Sequence, residues 1–181
     1  MAELKQSWDI FCKIVDNFGD IGVCWRLAKQ LHHEHGLSVR LFVDDLSDAA
    51  KILTGVSNAA EQTYEGVTVV RWGGATSFSY AAEVVLETFA CGLPAAYLKQ
   101  MTAKTVWVNV DYLSAESWVQ EFHALNGLHR ETGFTRHLCF PGFNEQTGGL
   151  LREQDLMTRR SNFQQANAPQ QLNFWNSLQI N

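Results

Sequence analysis

"WDIFCKIVDNFGDIGVCWRLAKQLHHEHGLSVRLFVDD", residues 8–45, contains the pattern that determines the predicted fold. Residues 8–15 are rich in β-branched and aromatic side chains, which favour a buried strand. Apolar side chains then recur at helical spacing over residues 21–35, and Gly36 follows as a helix-ending glycine. Residues 37–45 form a second apolar run of strand length. Since a strand–helix–strand connection joins parallel strands, the segment predicts a parallel βαβ unit.

The rest of the chain continues this alternation of strand and helix patterns. Further strands are predicted at residues 67–72, 83–89, 105–110 and 136–140, and helices at residues 48–53 and 115–125. The polar tail from Arg152 onward is predicted to be helical in places. Alternating strands and helices indicate an α/β fold, a Rossmann-like and mainly parallel sheet with flanking helices.

The composition limits the partners and the compartment. A net charge of −5 over 181 residues, without a basic cluster, argues against nucleic acid as the main partner. Neither a signal peptide nor an apolar run long enough to span a membrane is found, so we expect no membrane partner. The four cysteines are widely dispersed, which predicts reduced thiols of a cytoplasmic protein: Cys12, Cys24, Cys91 and Cys139.

The loop after the first strand, residues 16–20, is where a dinucleotide-binding protein holds phosphate. Gly19 in this loop and Gly22 just after it give G-x-x-G in place of the G-x-G-x-x-G fingerprint. Two acids, Asp16 and Asp20, would also repel phosphate. The sequence therefore excludes a dinucleotide loop here.

Two interpretations of these acids remain open. Asp20 could be the N-cap of the following helix, a position that aspartate favours. Asp16, at the end of a buried strand, is harder to explain as structural because an unpaired carboxylate there is costly. Together with Phe18 and Gly19, the two acids suggest a site for a cation, and a guanidinium matches carboxylate geometry well.

Several long segments together resemble one known family. The chain is similar, from about residue 8 to at least Leu156, to the N-terminal half of the protein-arginine rhamnosyltransferases that modify translation elongation factor P. The similarity rests on four segments that follow in the same order: DIFCKIVDNFGDIGVCWRLAKQL, VRLFVDDL, WVNVDYLSAESWVQEFHAL and CFPGFNEQTGGLLRE.

The resemblance implies a B-type glycosyltransferase with two Rossmann-like halves. Such an enzyme transfers L-rhamnose from dTDP-β-L-rhamnose to an arginine of elongation factor P with inversion, activating the factor for translation of polyproline stretches. The C-terminal half binds most of the sugar nucleotide, and the N-terminal half faces the acceptor protein. Residues 1–181 are thus expected to be the acceptor-side domain alone, inactive when isolated, with no cofactor and no metal.

The resemblance also assigns roles to residues. Asp16 and Asp20 match the family's paired aspartates in the first loop, and Asp20 matches the one assigned as catalytic, while Asn17, Phe18 and Gly19 are assigned to substrate binding. Asp20 would accept hydrogen bonds from the guanidinium and localise its charge. Near a helix N-terminus it is expected to stay ionised.

Other positions carry two interpretations each. Gly148 and Gly149 could bring backbone amides to the donor diphosphate, or form a tight turn before a helix from Leu150, which we favour. The acidic pair Asp44 and Asp45 could bind a ribose, but the simpler interpretation is that it caps the following helix or forms a turn. Two aromatic residues, Tyr112 and Trp118, could either pack in the core or contact a partner or the donor. Three histidines could either interact with the end of the helix or bind a metal: His32, His33 and His35.

Two functions of other classes stay open beside the glycosyltransferase. One is a non-catalytic α/β module whose acidic loop docks a basic protein. The other is half of a sugar-nucleotide enzyme with a different, hydroxyl-bearing acceptor.

Overall fold

The computed structural model describes residues 6–15, 18–165 and 168–177. The chain divides into two compact units, Met1–Leu151 and Arg152–Asn181. The first contains the sheet, and the second contains two helices.

Within the described residues, eight strands form one sheet in the first unit. Their bounds are β1 Ser7–Cys12, β2 Ser38–Val43, β3 Glu61–Tyr64, β4 Val67–Arg71, β5 Val84–Thr88, β6 Val106–Val110, β7 Asn126–Leu128 and β8 Thr135–Cys139. The order across the sheet is β3-β4-β2-β1-β5-β6-β8-β7. The predicted α/β class with a mainly parallel sheet is confirmed.

The parallel strands give the sheet its topology. Strands β4, β2, β1, β5, β6 and β8 pair in parallel, whereas β3 and β7 are antiparallel additions at the two edges. Numbered among themselves, the parallel strands follow the order 3-2-1-4-5-6 of doubly wound sheets. The strand order reverses between β1 and β5, which is where doubly wound sheets as a class bind their ligands.

Helices connect or follow the strands. Their bounds in the first unit are α1 Gly19–His33, α2 Leu46–Ala49, α3 Ala95–Leu98 and α4 Val119–Phe122. Helix α1 lies two residues earlier than predicted at both ends. Gly36 has φ of +68° and its N–H donates to the carbonyl of His32, so the predicted glycine stop is confirmed.

Apolar side chains cover both faces of the sheet. On one face, α1 packs on aliphatic side chains of the central strands, including Ile10, Leu41 and Leu86. On the other, Phe11 of β1 stacks on Phe42 of β2, with ring centroids 4.6 Å apart. Burial on both faces explains why the central strands are continuous apolar runs.

A buried carboxylate ties β1 to its neighbours. Asp9 is fully buried and accepts two hydrogen bonds from Arg40, Nε at 2.7 Å and Nη2 at 2.6 Å. The hydroxyl of Tyr97 and the amide of Ala82 also donate to it. Burial lowers the pKa of Arg40, but hydrogen bonding and attraction to Asp9 outweigh it and the net pKa is raised. Burial, followed by the charge of Asp9, raises the pKa of Tyr97.

The predicted helix over residues 115–125 is largely wrong. Only the four residues of α4 are helical, and Ala124 then turns the chain with φ of +63°. The amide of Ala124 donates to the carbonyl of Leu138, and the amide of Leu138 donates to Leu125. Pairing with the β8 strand therefore overrides the local helical pattern. Strands β3 and β7 and helix α3 were not predicted.

The second unit is a pair of helices, α5 Leu156–Gln165 and α6 Ala168–Ser177. Phe163 contacts Phe174, with ring centroids 5.1 Å apart. The predicted helical tail is confirmed, but its first helix begins at Leu156, and the helix expected from Leu150 is wrong. Across the described ranges, no helix combines the length and the hydropathy that a membrane crossing requires.

We predict that Arg40→Ala lowers the free energy of unfolding by about 3 kcal/mol, because it leaves the Asp9 carboxylate buried without its guanidinium. Chemical denaturation measures this change. Arg71→Ala, at an exposed position on β4, is the matched control and should change stability by less than about 0.5 kcal/mol. Equal small effects in both variants would contradict the role given to the Asp9 ion pair.

Candidate functional site

The candidate site lies where the strand order reverses, at the carboxyl ends of β1 and β5. The loop after β1 leads into α1, which begins at Gly19. The loops after β5 and β6 bring Phe89 and Tyr112 to the same edge. Three separate strand ends therefore contribute to one location.

Asp20 is the central group of this site. Its side chain is fully buried, with Oδ2 accepting a hydrogen bond from the amide of Val15 at 2.8 Å. Oδ1 accepts one from the hydroxyl of Tyr112 at 3.1 Å. Removing a carboxylate from water costs several kcal/mol unless hydrogen bonds compensate. The two donors therefore offset part of the free-energy cost of burying Asp20.

The N-cap interpretation of Asp20 is wrong. Phe18 occupies the N-cap position and makes no side-chain capping bond, while Asp20 lies in the first turn of α1. Its named hydrogen bonds go to the loop after β1 and the loop after β6, away from the helix's own amides. The positive end of the helix dipole favours an anion at this position.

An aromatic pair lies beside the carboxylate. The rings of Phe89 and Tyr112 are stacked, with centroids 4.2 Å apart and planes 13° from parallel. Phe89 and Ala90 are consecutive non-glycine residues at positive φ, 55° and 51°. Such backbone costs roughly 1–2 kcal/mol per residue and persists where the surroundings impose it. The amide of Phe89 donates to Val110 at 2.7 Å, which fixes the strained turn to the end of β6.

The remaining predicted loop residues are only partly described. Asp16 and Asn17 lie outside the described residues. Phe18 and Gly19 are exposed, and the ammonium of Lys51 lies 6.0 Å from the centre of the Phe18 ring. Phe18 and Gly19 thus lie at the surface next to Asp20.

Asp44 and Asp45 have structural roles, as predicted. The side chain of Asp45 caps α2 by accepting from the amides of Ser47 and Asp48. Hydrogen bonds from the Ser47 hydroxyl and from these amides lower the pKa of Asp45. Asp44 Oδ1 accepts from the amide of Ile14 at 2.9 Å and so supports the loop after β1.

Gly148 and Gly149 follow β8. The amide of Gly148 donates to the carbonyl of Phe140 at 2.7 Å, and Gly149 has φ of +69°. This hydrogen bond spans eight residues, and the turn of this loop comes earlier, where the amide of Thr147 donates to the carbonyl of Asn144, so the favoured tight turn at the two glycines is not observed. Gly148 lies instead where the loop closes on the end of β8. Arg26 of α1 donates to the carbonyl of Leu151, so the segment lies against the helix that carries Asp20.

The cysteines are free thiols, as predicted. Hydrogen bonding to Cys24, followed by burial, raises the pKa of Cys12. Burial raises the pKa of Cys91 to about 12 and also raises the pKa of Cys139. These three thiols are therefore protonated at neutral pH and are poor nucleophiles.

The described part of the chain contains no group of three His, Cys, Asp or Glu side chains that could hold a metal ion. A depression of about 300 Å³ lies at the amino ends of β6 and β8, the sheet edge opposite Asp20. It is lined by residues such as Lys104, Phe134 and His137. The depression and the Asp20 site are therefore separate features.

Tyr112 was singled out in the sequence only as an aromatic with two possible roles, and Phe89 was missed. The signal for Tyr112 was its position just after a predicted strand, in a sheet whose strand ends meet at one edge. The strain at Phe89 has no sequence signature, because neither Phe89 nor Ala90 favours positive φ.

The chain matches a family described as "Elongation-Factor P (EF-P) rhamnosyltransferase EarP" over residues 8–181. It is 49% identical over 167 residues to a protein-arginine rhamnosyltransferase of Pseudomonas putida, covering 90% of this chain and 44% of that protein. A protein of the same name from Neisseria meningitidis is 41% identical over 150 residues, and the match covers 81% of this chain and 38% of that protein. The chain thus spans less than half the length of these relatives.

Among the solved structures that match, one has 34% identity and a TM-score of 0.46. The match covers 98% of this chain and 37% of that one. It comes from a study described as "Structural basis for EarP-mediated arginine glycosylation of translation elongation factor EF-P".

We predict that Gly148→Ala destabilises the first unit by about 1–2 kcal/mol. A Cβ there would lie 3.0 Å from Cys139 Sγ and 3.2 Å from the carbonyl oxygen of Phe140. The carbonyl oxygen belongs to the backbone and therefore moves less easily than a side chain. Thermal or denaturant unfolding measures the loss. Gly74→Ala is the control, since a Cβ at Gly74 has no neighbour within 4 Å. If Gly148→Ala unfolds like Gly74→Ala, the close approach of the chain at Gly148 does not limit the side chain there.

Proposed function

The chain belongs to the EarP family of elongation-factor P rhamnosyltransferases, and from this premise we propose that it is the amino-terminal, acceptor-facing domain of a protein-arginine rhamnosyltransferase. The complete enzyme would be of the B type, with a second Rossmann-like half that binds most of the sugar nucleotide. The relatives, more than twice as long as their matched regions, leave room for such a half.

The observation that carries the proposal is the placement of Asp20. A buried carboxylate at the point of strand-order reversal, in the first turn of α1, is costly, and the N-cap position of that helix belongs to Phe18. A guanidinium is the side-chain cation whose planar donors suit such a group best. The same chain offers an internal example, because Arg40 binds Asp9 through two nitrogens.

The proposed reaction is a single displacement at the sugar. Arginine has a pKa above about 12, so a carboxylate does not deprotonate it beforehand. Asp20 accepts hydrogen bonds from the guanidinium and localises its charge, which makes one nitrogen lone pair available. That nitrogen forms a bond to the anomeric carbon while the bond from that carbon to dTDP breaks, and dTDP leaves with the electron pair.

The proton leaves the attacking nitrogen for Asp20 as the new bond forms. Attack opposite the leaving group inverts the anomeric centre of dTDP-β-L-rhamnose. The reaction as proposed needs neither a cofactor nor a metal ion.

The other predicted site residues take supporting roles in this proposal. Asp16 orients the guanidinium or holds its second nitrogen, and Asn17, Phe18 and Gly19 bind the acceptor. Phe18 and Gly19 are exposed, which suits contact with a protein acceptor. Gly148 and Gly149 stay candidates for donor contact only through groups other than the Gly148 amide, since that amide already donates to Phe140.

The proposed acceptor is elongation factor P, which the modification would activate for translation of polyproline stretches. We place the enzyme in the cytoplasm, because four free thiols fit a reducing compartment. Neither nucleic acid nor a membrane is a proposed partner, in keeping with the net charge of −5.

The two alternative functions differ from this one in what they require of the acceptor. A docking module needs only a basic surface, and an enzyme with a hydroxyl acceptor needs no cation. The proposed function alone requires a guanidinium at Asp20, since lysine offers a point charge without the planar fork.

We predict that Asp20→Asn in the complete enzyme lowers rhamnosyl transfer to elongation factor P at least about a hundredfold, because the amide cannot take the proton. Mass spectrometry of the acceptor measures the transfer, and thermal unfolding verifies that the fold is retained. Asp48→Asn is the control, an aspartate in the first turn of α2, and should retain activity within about twofold. Near-normal transfer by Asp20→Asn would exclude the proposed role.

A further inference from the structure

Asp20 is fully buried, yet the residue that contacts its Oδ1 reaches the surface. Tyr112 donates its hydroxyl to Oδ1 at 3.1 Å, while 48% of the Tyr112 residue remains exposed. Tyr112 therefore connects the buried carboxylate to the solvent side of the site. Any acceptor that approaches Asp20 from this side meets Tyr112 first.

The ring of Tyr112 is held by a rigid partner. It stacks on Phe89 at 4.2 Å, and the backbone of Phe89 is fixed in a strained conformation by its hydrogen bond to Val110. Strained backbone in bulky residues clusters at functional sites, where the rest of the fold maintains it. The strain here serves to place one aromatic ring beneath Tyr112.

We propose that Tyr112 is a positioning residue for the reaction, with Phe89 as its support. This inference rests on the proposed role of Asp20. The hydroxyl holds the carboxylate in one orientation, with Oδ2 toward Val15 and Oδ1 toward the entering acceptor. When the acceptor arginine binds, a guanidinium N–H donates to the second lone pair of Oδ1 while the Tyr112 hydroxyl keeps its hydrogen bond.

The hydroxyl and the ring have separable roles. The hydroxyl fixes the angle at which Oδ1 meets the guanidinium, which affects the chemical step. The aromatic ring, stacked on Phe89, covers the Asp20 carboxylate on the solvent side. A tyrosine-to-phenylalanine change removes only the first, because it keeps the ring and the stacking surface on Phe89.

The test uses the complete enzyme, this chain followed by its donor-binding half, with elongation factor P as the acceptor. Tyr112→Phe should lower kcat about tenfold and change the acceptor KM less than about threefold, since the lost interaction acts on the chemical step. Phe89→Leu keeps an apolar side chain without the aromatic stack, and a smaller loss of kcat is expected. Thermal unfolding of each variant separates these effects from loss of fold.

Tyr80→Phe is the matched control. Tyr80 is exposed to a similar extent, 52%, and its ring lies against Arg40 with 4.0 Å between the guanidinium carbon and the ring centre. Removing its hydroxyl should leave kcat and KM at wild-type values. The control shows that the loss of a phenol hydroxyl as such has no effect on transfer.

Each outcome decides the inference. Wild-type kcat in Tyr112→Phe overturns the positioning role. A raised KM with unchanged kcat also overturns it, because Tyr112 would then only contribute uniform binding of the acceptor. If Asp20→Asn retains activity, the proposed function itself fails. If Asp20→Asn is inactive and Tyr112→Phe is normal, only the inference about Tyr112 fails.

Discussion

The hydrogen bonds that hold the Asp20 carboxylate away from water are the constraint on which the site depends. Burying a carboxylate is unfavourable unless donors replace the lost water, and here Val15 and Tyr112 are two of these donors. Val15 follows β1 and Tyr112 follows β6, so both donors reach Asp20 because parallel strands end at the same edge. The order of the sheet therefore determines the orientation of the carboxylate.

Strand β1 carries a second buried carboxylate that provides a useful comparison. Asp9 receives two nitrogens of Arg40, a phenol hydroxyl and a backbone amide, all from within the fold. Its hydrogen bonds join β1 to β2 and to α3. Two of the hydrogen bonds of Asp20 come from neutral donors, a backbone amide and a phenol hydroxyl, at the carboxyl ends of the strands. Asp9 has an internal guanidinium partner, and we propose that Asp20 receives a guanidinium from the acceptor protein.

Much of the fold and part of the candidate site were predictable from the sequence, and the exceptions have physical causes. The buried parallel strands and α1 were predictable because continuous apolar runs and a helical stripe come from local periodicity. The short α4 was not predictable, since the amide of Ala124 and the carbonyl of Leu125, which follow it, pair with Leu138, distant in sequence. At the site, Asp20 was found from its loop, but its bond to Tyr112 spans 92 residues. The strained Phe89 has no local signal at all.

The most direct test of a guanidinium site at Asp20 follows the backbone amide of Val15, which donates to Oδ2 of Asp20. The ¹⁵N-labelled chain is titrated with elongation factor P, once with its acceptor arginine and once with that arginine replaced by lysine. The account predicts a saturating shift of the Val15 and Asp20 amide resonances with the arginine form that is largely lost with the lysine form. Equal shifts with both forms, or an unmoved Val15 resonance, would contradict it.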